Sequence, residues 1–506
     1  MDNISNQATL PNTSAYDERR QEFIKLGWWV SIPLSIVPSH WIYDGEQRLD
    51  GGYYAAEVTS AFRAVYESGL EIKKISDVTK TINYPTRFKR IYTKSKQNGV
   101  PFLTASEMLQ FRPESNEFLS TNLVKSASCI VPKGVILVTR SGSLGRSVIV
   151  GERLHQFAIT DDAFRVEPEG IEAGYLYAYL SSWIGQALIV KDKYGATIKH
   201  LEPNHIARLP IPILPRGAQI TIHNQIIHAY ELREKANSLL DEATDLLYSS
   251  LGLQPYPLSE VPYLPPPPDK QPSTRYISHP QAFTVNSASL NNRFDASYHV
   301  PTVRLAIDMI SKLTHPFAPL GSLVKDIYLP NRFKRIYVQK EYGIPFLQGS
   351  HLSQNILYDL KYVSSKANEK NIQQCVIHTG DILVSRSGTI GVISLVSQLR
   401  DGWVGTEDLL RIIPDEAMAN RGYIALFLTT KYGQYQIKSK TYGGVVDHIT
   451  VEDLKEVIIP NPPLEIQNEI GKLVIEAFEL KDFATKMEME TVNGLENLLA
   501  PKPIIS

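Results

Sequence analysis

Arg87-Phe88-Lys89-Arg90-Ile91-Tyr92 combines four residue types able to grip a phosphate-bearing ligand, since guanidinium and ammonium groups neutralise phosphate and aromatic rings stack. It returns letter for letter as Arg332-Phe333-Lys334-Arg335-Ile336-Tyr337, displaced by 332 − 87 = 245 residues. A second repeated group is Arg140-Ser141-Gly142-Ser143-Leu144-Gly145, matched by Arg386-Ser387-Gly388-Thr389-Ile390-Gly391. Glycines let a backbone approach a phosphate and the adjacent arginine could add charge, although a tight turn alone would also require them. The glycines stand too close together for a P-loop, and Arg146 occupies the place of its lysine, so nucleotide binding is not expected. Gly-x-x-Gly loops that clamp nucleic-acid backbones join two helices, whereas these turns follow strand-like runs.

Other groups are weaker. Asn461-Pro462-Pro463-Leu464 is similar to the tetrapeptide with which adenine methyltransferases hold a flipped base, but leucine replaces the stacking aromatic. The equivalent stretch reads Ile213-Leu214-Pro215-Arg216, and no glycine-rich cofactor loop stands upstream, so a helix start is the expectation for both. Glu-x-Lys occurs at Glu71-Ile72-Lys73 and at Glu479-Leu480-Lys481, fragments of a nuclease signature, the second of them on a heptad-patterned run. His200 and His448 are equivalent, yet neither has a cysteine or histidine cluster or a nucleophile beside it, and a structural hydrogen bond or a ligand-facing loop is expected. Cys129 and Cys375, 246 residues apart by 375 − 129, read as twin buried thiols in apolar strand-like runs.

The register between the copies is kept along most of the chain, drifting only to 442 − 194 = 248 at Tyr194-Gly195 and Tyr442-Gly443. That period is far longer than the roughly 20–50 residues of a solenoid unit, so each copy is a whole domain plus a connecting element. With 43% hydrophobic and 21% charged residues the composition is that of an ordinary globular protein, without an apolar run of membrane-spanning length. The start, Met1-Asp2-Asn3-Ile4, has no secretory signal character, and a cytoplasmic location is expected. The net charge of −1 divides unevenly. Gln219 to Leu251 carries −3 and Glu465 to Leu499 carries −5, leaving −1 + 8 = +7 for the remainder. Such a balance is compatible with phosphate binding by the globular parts.

Each copy begins with a mixed segment and a helix, continues as short strands and turns such as Gly134 to Thr139 and Gly380 to Ser385, and contains a helix over Gly174 to Ile189 or Gly422 to Ile437. The period then changes. Ile466, Ile470, Leu473, Ala477, Leu480, Ala484 and Met487 are spaced alternately by four and three, as in a coiled-coil seam, and Ile222, Ile226, Ala229, Leu232, Ala236, Leu239, Ala243 and Leu246 nearly repeat it. Two rods of about 50 Å would result, burying their seams on each other or on their own domains. Leu253 to Pro272 holds eight prolines and reads as a stiff extended connection. The expected boundaries are an N-terminal extension at 1–45 containing Trp28, Trp29 and Trp41, domains at 46–215 and 291–463, long helices at 216–252 and 464–500, and the linker at 253–290.

Taken in order, these stretches resemble the specificity subunit of a Type I restriction-modification system, or of a related methylation-based defence system. The resemblance covers nearly the whole chain and is carried by Gly380-Asp381-Ile382-Leu383-Val384-Ser385-Arg386-Ser387-Gly388-Thr389-Ile390-Gly391, by Ile459-Pro460-Asn461-Pro462-Pro463-Leu464-Glu465-Ile466-Gln467, and by the doubled layout. It implies an α+β fold with two tandem target recognition domains of mixed strands and helices, joined and spaced by two long helices pairing as an antiparallel coiled coil. It also implies a noncatalytic reader of a bipartite target in double-stranded DNA, which binds no cofactor or metal of its own. DNA adenine methyltransferase subunits, holding S-adenosylmethionine, would dock along the helices, and a restriction or translocase subunit could join them. A duplicated protein-binding scaffold is the alternative, and a methyltransferase using Asn461-Pro462-Pro463-Leu464 a more distant one.

Residues identical in both copies cannot tell two half-sites apart. Arg87, Lys89, Arg90 and Arg140 with Arg332, Lys334, Arg335 and Arg386 are therefore expected on the DNA backbone, joined by Lys199 and His448. Base readout is expected where the copies diverge, at Thr104 to Lys125 against Gln348 to Asn371, and at Arg146 to Phe157 against Val392 to Trp403.

Overall fold

The computed structural model describes residues 53–254 and 293–499 except 86–88, 94–97, 116, 127–128, 194–198, 297, 368 and 442–447, together with residue 39, residues 284–287 and residue 290. Arg87, nearly all of the N-terminal extension and most of the proline-rich connection lie outside the described residues.

Each copy starts on a helix, α1 (Ala56–Tyr66) in the first, whose Val58, Ala61, Ala64 and Val65 share the buried face. A four-stranded antiparallel sheet follows, in the order Thr79–Asn83, Ala163–Pro168, Ile136–Thr139, Ser147–Ile149. A second sheet runs Tyr92–Thr93, Phe118–Ser120, Gly99–Leu103, Ala158–Ile159, its last pair parallel. Two helices, α2 (Ala173–Ser181) and α3 (Trp183–Val190), cover the first sheet, and the long α4 (Arg216–Leu251) leaves the body.

The second copy repeats both strand orders, down to a register shift at the same place in the edge strand, between Thr79 and Thr81 and between Val324 and Asp326. Its helices are α5 (Pro301–Ser311), α6 (Arg421–Thr429), α7 (Lys431–Ser439) and α8 (Leu464–Leu499). The strand Ile382–Ser385 is buried on both sides because alternate side chains face opposite ways. Ile382 and Val384 enter the main core under α6, and Leu383 enters a smaller one with Leu347, Ile377 and Leu409.

Two local expectations change. The single helix read over Gly174 to Ile189 is two, broken where Ser182 leaves helical geometry and its hydroxyl accepts from Gly185 N; Thr430 does the same for Gly433 N. The cysteines are buried and free, but neither sits in a strand, and Cys375 ends a 3-10 turn.

The two 36-residue helices pair antiparallel. Gln225 meets Thr491 near the start of α4, and Lys235 pairs with Glu476 farther along it. As a result each long helix begins on its own body and ends in the core of the other. Leu495 and Leu499 of α8 pack with the first body, and Leu247 and Leu251 of α4 with the second. Ile470, Ala477 and Ala484 are buried as the heptads require, but Leu473 is only half-buried, while Gln467, Lys481, Asp482, Glu488 and Thr491 are buried. The seam is wider and more polar than its apolar spacing implied.

Candidate nucleic-acid interface

The repeated basic-aromatic segment precedes the edge strand of the second sheet in each body, and its residues divide by role. Arg90 pairs with Asp161 at 3.0 Å and lies over the Phe102 ring at 5.0 Å. Arg335 pairs with Glu407 and lies over Phe346 at 5.1 Å. Burial opposes ionisation of Glu407, but hydrogen bonds led by that from Arg335 hold its carboxyl below the usual range. These arginines anchor the segment to the strand turn of their own body. The residues on either side of them stay outside. Ile91 and Tyr92 are 56% and 48% exposed, Ile336 and Tyr337 45% and 44%, and Lys89 and Lys334 are exposed. Arg332 also projects, its side chain 77% exposed, with Glu407 at 3.6 Å.

The turn carrying Glu407 is held from beneath by Arg411, which is fully buried and donates to the carbonyls of Thr406, Leu409, Cys375 and Gly405. A buried guanidinium with several acceptors makes a rigid support, because moving it would strand charge-assisted hydrogen bonds. Its equivalent in the first body is Arg165, by 411 − 165 = 246.

The glycine turns join two strands, and helices press on them from one side. A Cβ on Gly145 would stand 2.7 Å from Ile189 Cγ2, and Gln186 Nε2 donates to Gly145 O at 2.8 Å. Gln434 does the same at Gly391 O. Gly142 and Gly388, at φ of 71° and 69°, face open space. Beside them Arg140 is 8% exposed. It donates to Leu201 O at 3.2 Å and Glu202 at 2.9 Å, and lies over the Tyr84 ring at 4.5 Å. Arg140 therefore ties two segments together instead of presenting its charge outward. Arg386 is half-buried and donates Nε to Ile449 O at 3.2 Å. His200 and His448 make matching backbone bridges to Ser141 and Ser387, and Lys199 is exposed next to the first of these. Lys89, Lys199, Arg332 and Lys334 thus face outward, Arg90 and Arg335 are tethered at the surface, and His448 is half-buried. Among the described residues no group of three His, Cys, Asp or Glu could hold a metal ion.

The expectation for the divergent segments needs correction. Met108, Leu109 and Phe111, with Leu352 and Asn355, are buried where the two bodies meet, and Arg146 and Arg400 are committed to Asp359 and Asp482. The copies diverge there at segments that meet each other inside the molecule. The acidic partners Asp161 and Glu407 were missed as functional residues. The doubled Thr160-Asp161-Asp162 and Thr406-Glu407-Asp408 was the available signal.

A tandem pair of bodies with matched basic segments, on two antiparallel helices, is the architecture of a two-domain reader. The chain belongs to the family of Type I restriction modification DNA specificity domains, whose profile matches residues 67–232 and again 331–487. It is a specificity subunit of the Type I restriction-modification kind, with its recognition domains in tandem. No curated protein matches it. Among solved structures it is similar to the Type I restriction-modification S subunit from M. genitalium, with 14% identity over 86% of this chain and 96% of that one, at a TM-score of 0.34. It is also similar to the HsdS subunit from Thermoanaerobacter tengcongensis, with 15% identity over 85% of this chain and 95% of that one, at a TM-score of 0.25. No helix among the described residues is long and apolar enough to cross a membrane.

Proposed function

We propose that the chain is the noncatalytic subunit that reads a bipartite target in double-stranded DNA and brings adenine methyltransferase subunits to it. The observation that carries this reading is the doubled specificity domain, 67–232 and 331–487, on a chain whose bodies are held in opposite directions by α4 and α8. Each body takes one half-site. Lys89, Arg332 and Lys334 supply sequence-independent backbone contacts, and Arg90 and Arg335 hold the segments that carry them. The acidic outer faces of the long helices repel DNA and are left for methyltransferase subunits, which bring S-adenosylmethionine and the modifying site. A restriction or translocase subunit can join the same assembly.

The test is single-molecule methylome sequencing of cells expressing this chain with its neighbouring methyltransferase, against cells expressing that methyltransferase alone. Adenine methylation at one split motif, present only with the chain, is the expected result. Methylation unchanged by the chain would overturn the reading for that pair and favour a protein-binding scaffold.

A further inference from the structure

Beyond the long helices, the two bodies touch directly, and the contact has the symmetry of the molecule itself. Phe111 N donates to Ser353 O at 2.8 Å and Asn355 N donates to Leu109 O at 2.9 Å, around an antiparallel bridge between Gln110 and Gln354. The repeat offset here is 345 − 101 = 244, so 353 − 109, 354 − 110 and 355 − 111 all pair equivalent residues. The bridge therefore straddles the approximate twofold axis, and each copy offers the other the backbone of three equivalent positions, of which only Gln110 and Gln354 are the same residue. Both segments rest on the helix that follows their own body. Asn237 Nδ2 of α4 donates to Phe111 O at 2.9 Å, and Thr485 Oγ1 of α8 donates to Asn355 O at 3.4 Å. Asn237 and Thr485 are themselves equivalent, by 485 − 237 = 248.

One-sided contacts clamp this symmetric centre. Arg146 of the first body pairs with Asp359 of the second at 2.7 Å and lies over the Tyr358 ring at 4.6 Å, while Tyr358 Oη donates to Ser147 O at 3.0 Å. Below them Arg233 of α4 pairs with Glu488 of α8 at 2.5 Å, both almost fully buried, and Tyr177 donates to the same carboxylate. A buried ion pair adds little net stability but penalises any arrangement that separates its partners. That pair fixes the register of the two helices, and the junction above it fixes how the bodies are turned about them.

We infer that the junction of Leu109–Phe111 with Ser353–Asn355, clamped by Arg146, Tyr358 and Asp359, sets the spacing between the two half-sites. The inference rests on the bipartite reading above and assigns its gap selectivity to contacts between the bodies as well as to the helices. One added base pair moves a half-site by about 3.4 Å and turns it by roughly 35°. Bodies locked to each other must distort the DNA to follow that change, whereas bodies joined by the helices alone could shift.

The experiment uses the full chain. In Gln110→Cys/Gln354→Cys, a non-hydrogen-bonded antiparallel pair with Cα atoms about 4.5 Å apart lies within disulfide reach, so mild oxidation is expected to crosslink most of the protein. Binding is then measured on DNA carrying the methylome-defined half-sites with the native gap or with one base pair more or less. Wild type and the crosslinked form are expected to prefer the native gap by ~10-fold or more, on the scale of a mismatch cost. Arg146→Ala/Tyr358→Phe/Asp359→Ala is expected to bring that preference within ~3-fold, while keeping affinity for the native gap within the same factor. A thermal melt confirms that each variant is folded. Failure of the folded cysteine pair to crosslink would overturn the inference, as would undiminished gap preference in the clamp variant. If wild type selects no split sequence at all, the DNA-reading proposal itself falls, and the crosslink still reports on the junction by itself.

Discussion

Lys481 sits in surroundings that oppose its ordinary chemistry. It is 1% exposed in the middle of α8, donates to Leu352 O at 3.3 Å, and faces the rings of Phe111 and Phe478. Burial pushes its ammonium down to about 7, helped by Arg400 and Arg233 and opposed by Asp482. The sign of the linkage follows. Between about 7 and the ordinary lysine value the unfolded chain binds a proton that the folded chain does not, so folding is favoured as pH rises through that window. Lys481→Met should therefore stabilise the protein most near neutral pH, and the gain should shrink by roughly 1 kcal/mol per pH unit between 7 and 9. Denaturant titrations of both proteins across that range measure it. A gain that does not change with pH would show that Lys481 keeps its proton in the folded protein throughout that range.

Among the elements, α6 meets α8 backbone to backbone, and glycine allows it. A Cβ on Gly422 would stand 2.4 Å from the Gly471 carbonyl oxygen, and the first body repeats the arrangement with Gly174 against the His223 backbone at 2.7 Å. Gly422→Ala should cost about 1–3 kcal/mol through overpacking against backbone that cannot yield. Gly494→Ala, in α8 and facing open space, should instead add about 0.5–1 kcal/mol. Midpoints in urea that moved in the same direction for both would contradict this account. Elements of this kind were legible to different degrees. Pro215 and Pro462-Pro463 marked both long helices, because a ring without an N–H suits a helix start. The break at Ser182 and Thr430 was masked by continuous apolar periodicity, since a hydroxyl cap followed by glycine leaves the hydrophobic pattern intact. Hydrophobic spacing likewise located the seam but passed over Lys481 and Glu488, whose burial depends on partners from the other copy and the bodies. For the site, an exact repeat exposed the basic segments, but which arginines were tethered depended on Asp161 and Glu407, far away in the chain.

For the molecule as a whole, charge is divided as the architecture is. Gln219 to Leu251 and Glu465 to Leu499 sum to −8, so a chain with net charge −1 carries +7 elsewhere. A polyanion is repelled from the rods and drawn to the bodies, at distances limited by a Debye length of about 8 Å in physiological salt. Within the bodies the outward cations Lys89 and Lys334 occupy equivalent places, by 334 − 89 = 245, and under the proposed reading a pseudo-twofold arrangement gives each the same relation to its own half-site. Equivalent phosphate contacts have a signature that base contacts lack. Each releases counterions irrespective of sequence, so Lys89→Ala and Lys334→Ala should each flatten the dependence of log K on log salt by about one unit, and together by about two. Neither should alter the preference for the cognate split motif over a scrambled one, because affinity falls for both by the same factor. Fluorescence anisotropy over a salt series, on cognate and scrambled duplexes, separates these quantities. An unchanged slope would remove the two lysines from the DNA contact, and a loss confined to the cognate duplex would move them to the base-reading surface. Equal effects of the two substitutions are what a reader built from two inverted, equivalent bodies requires.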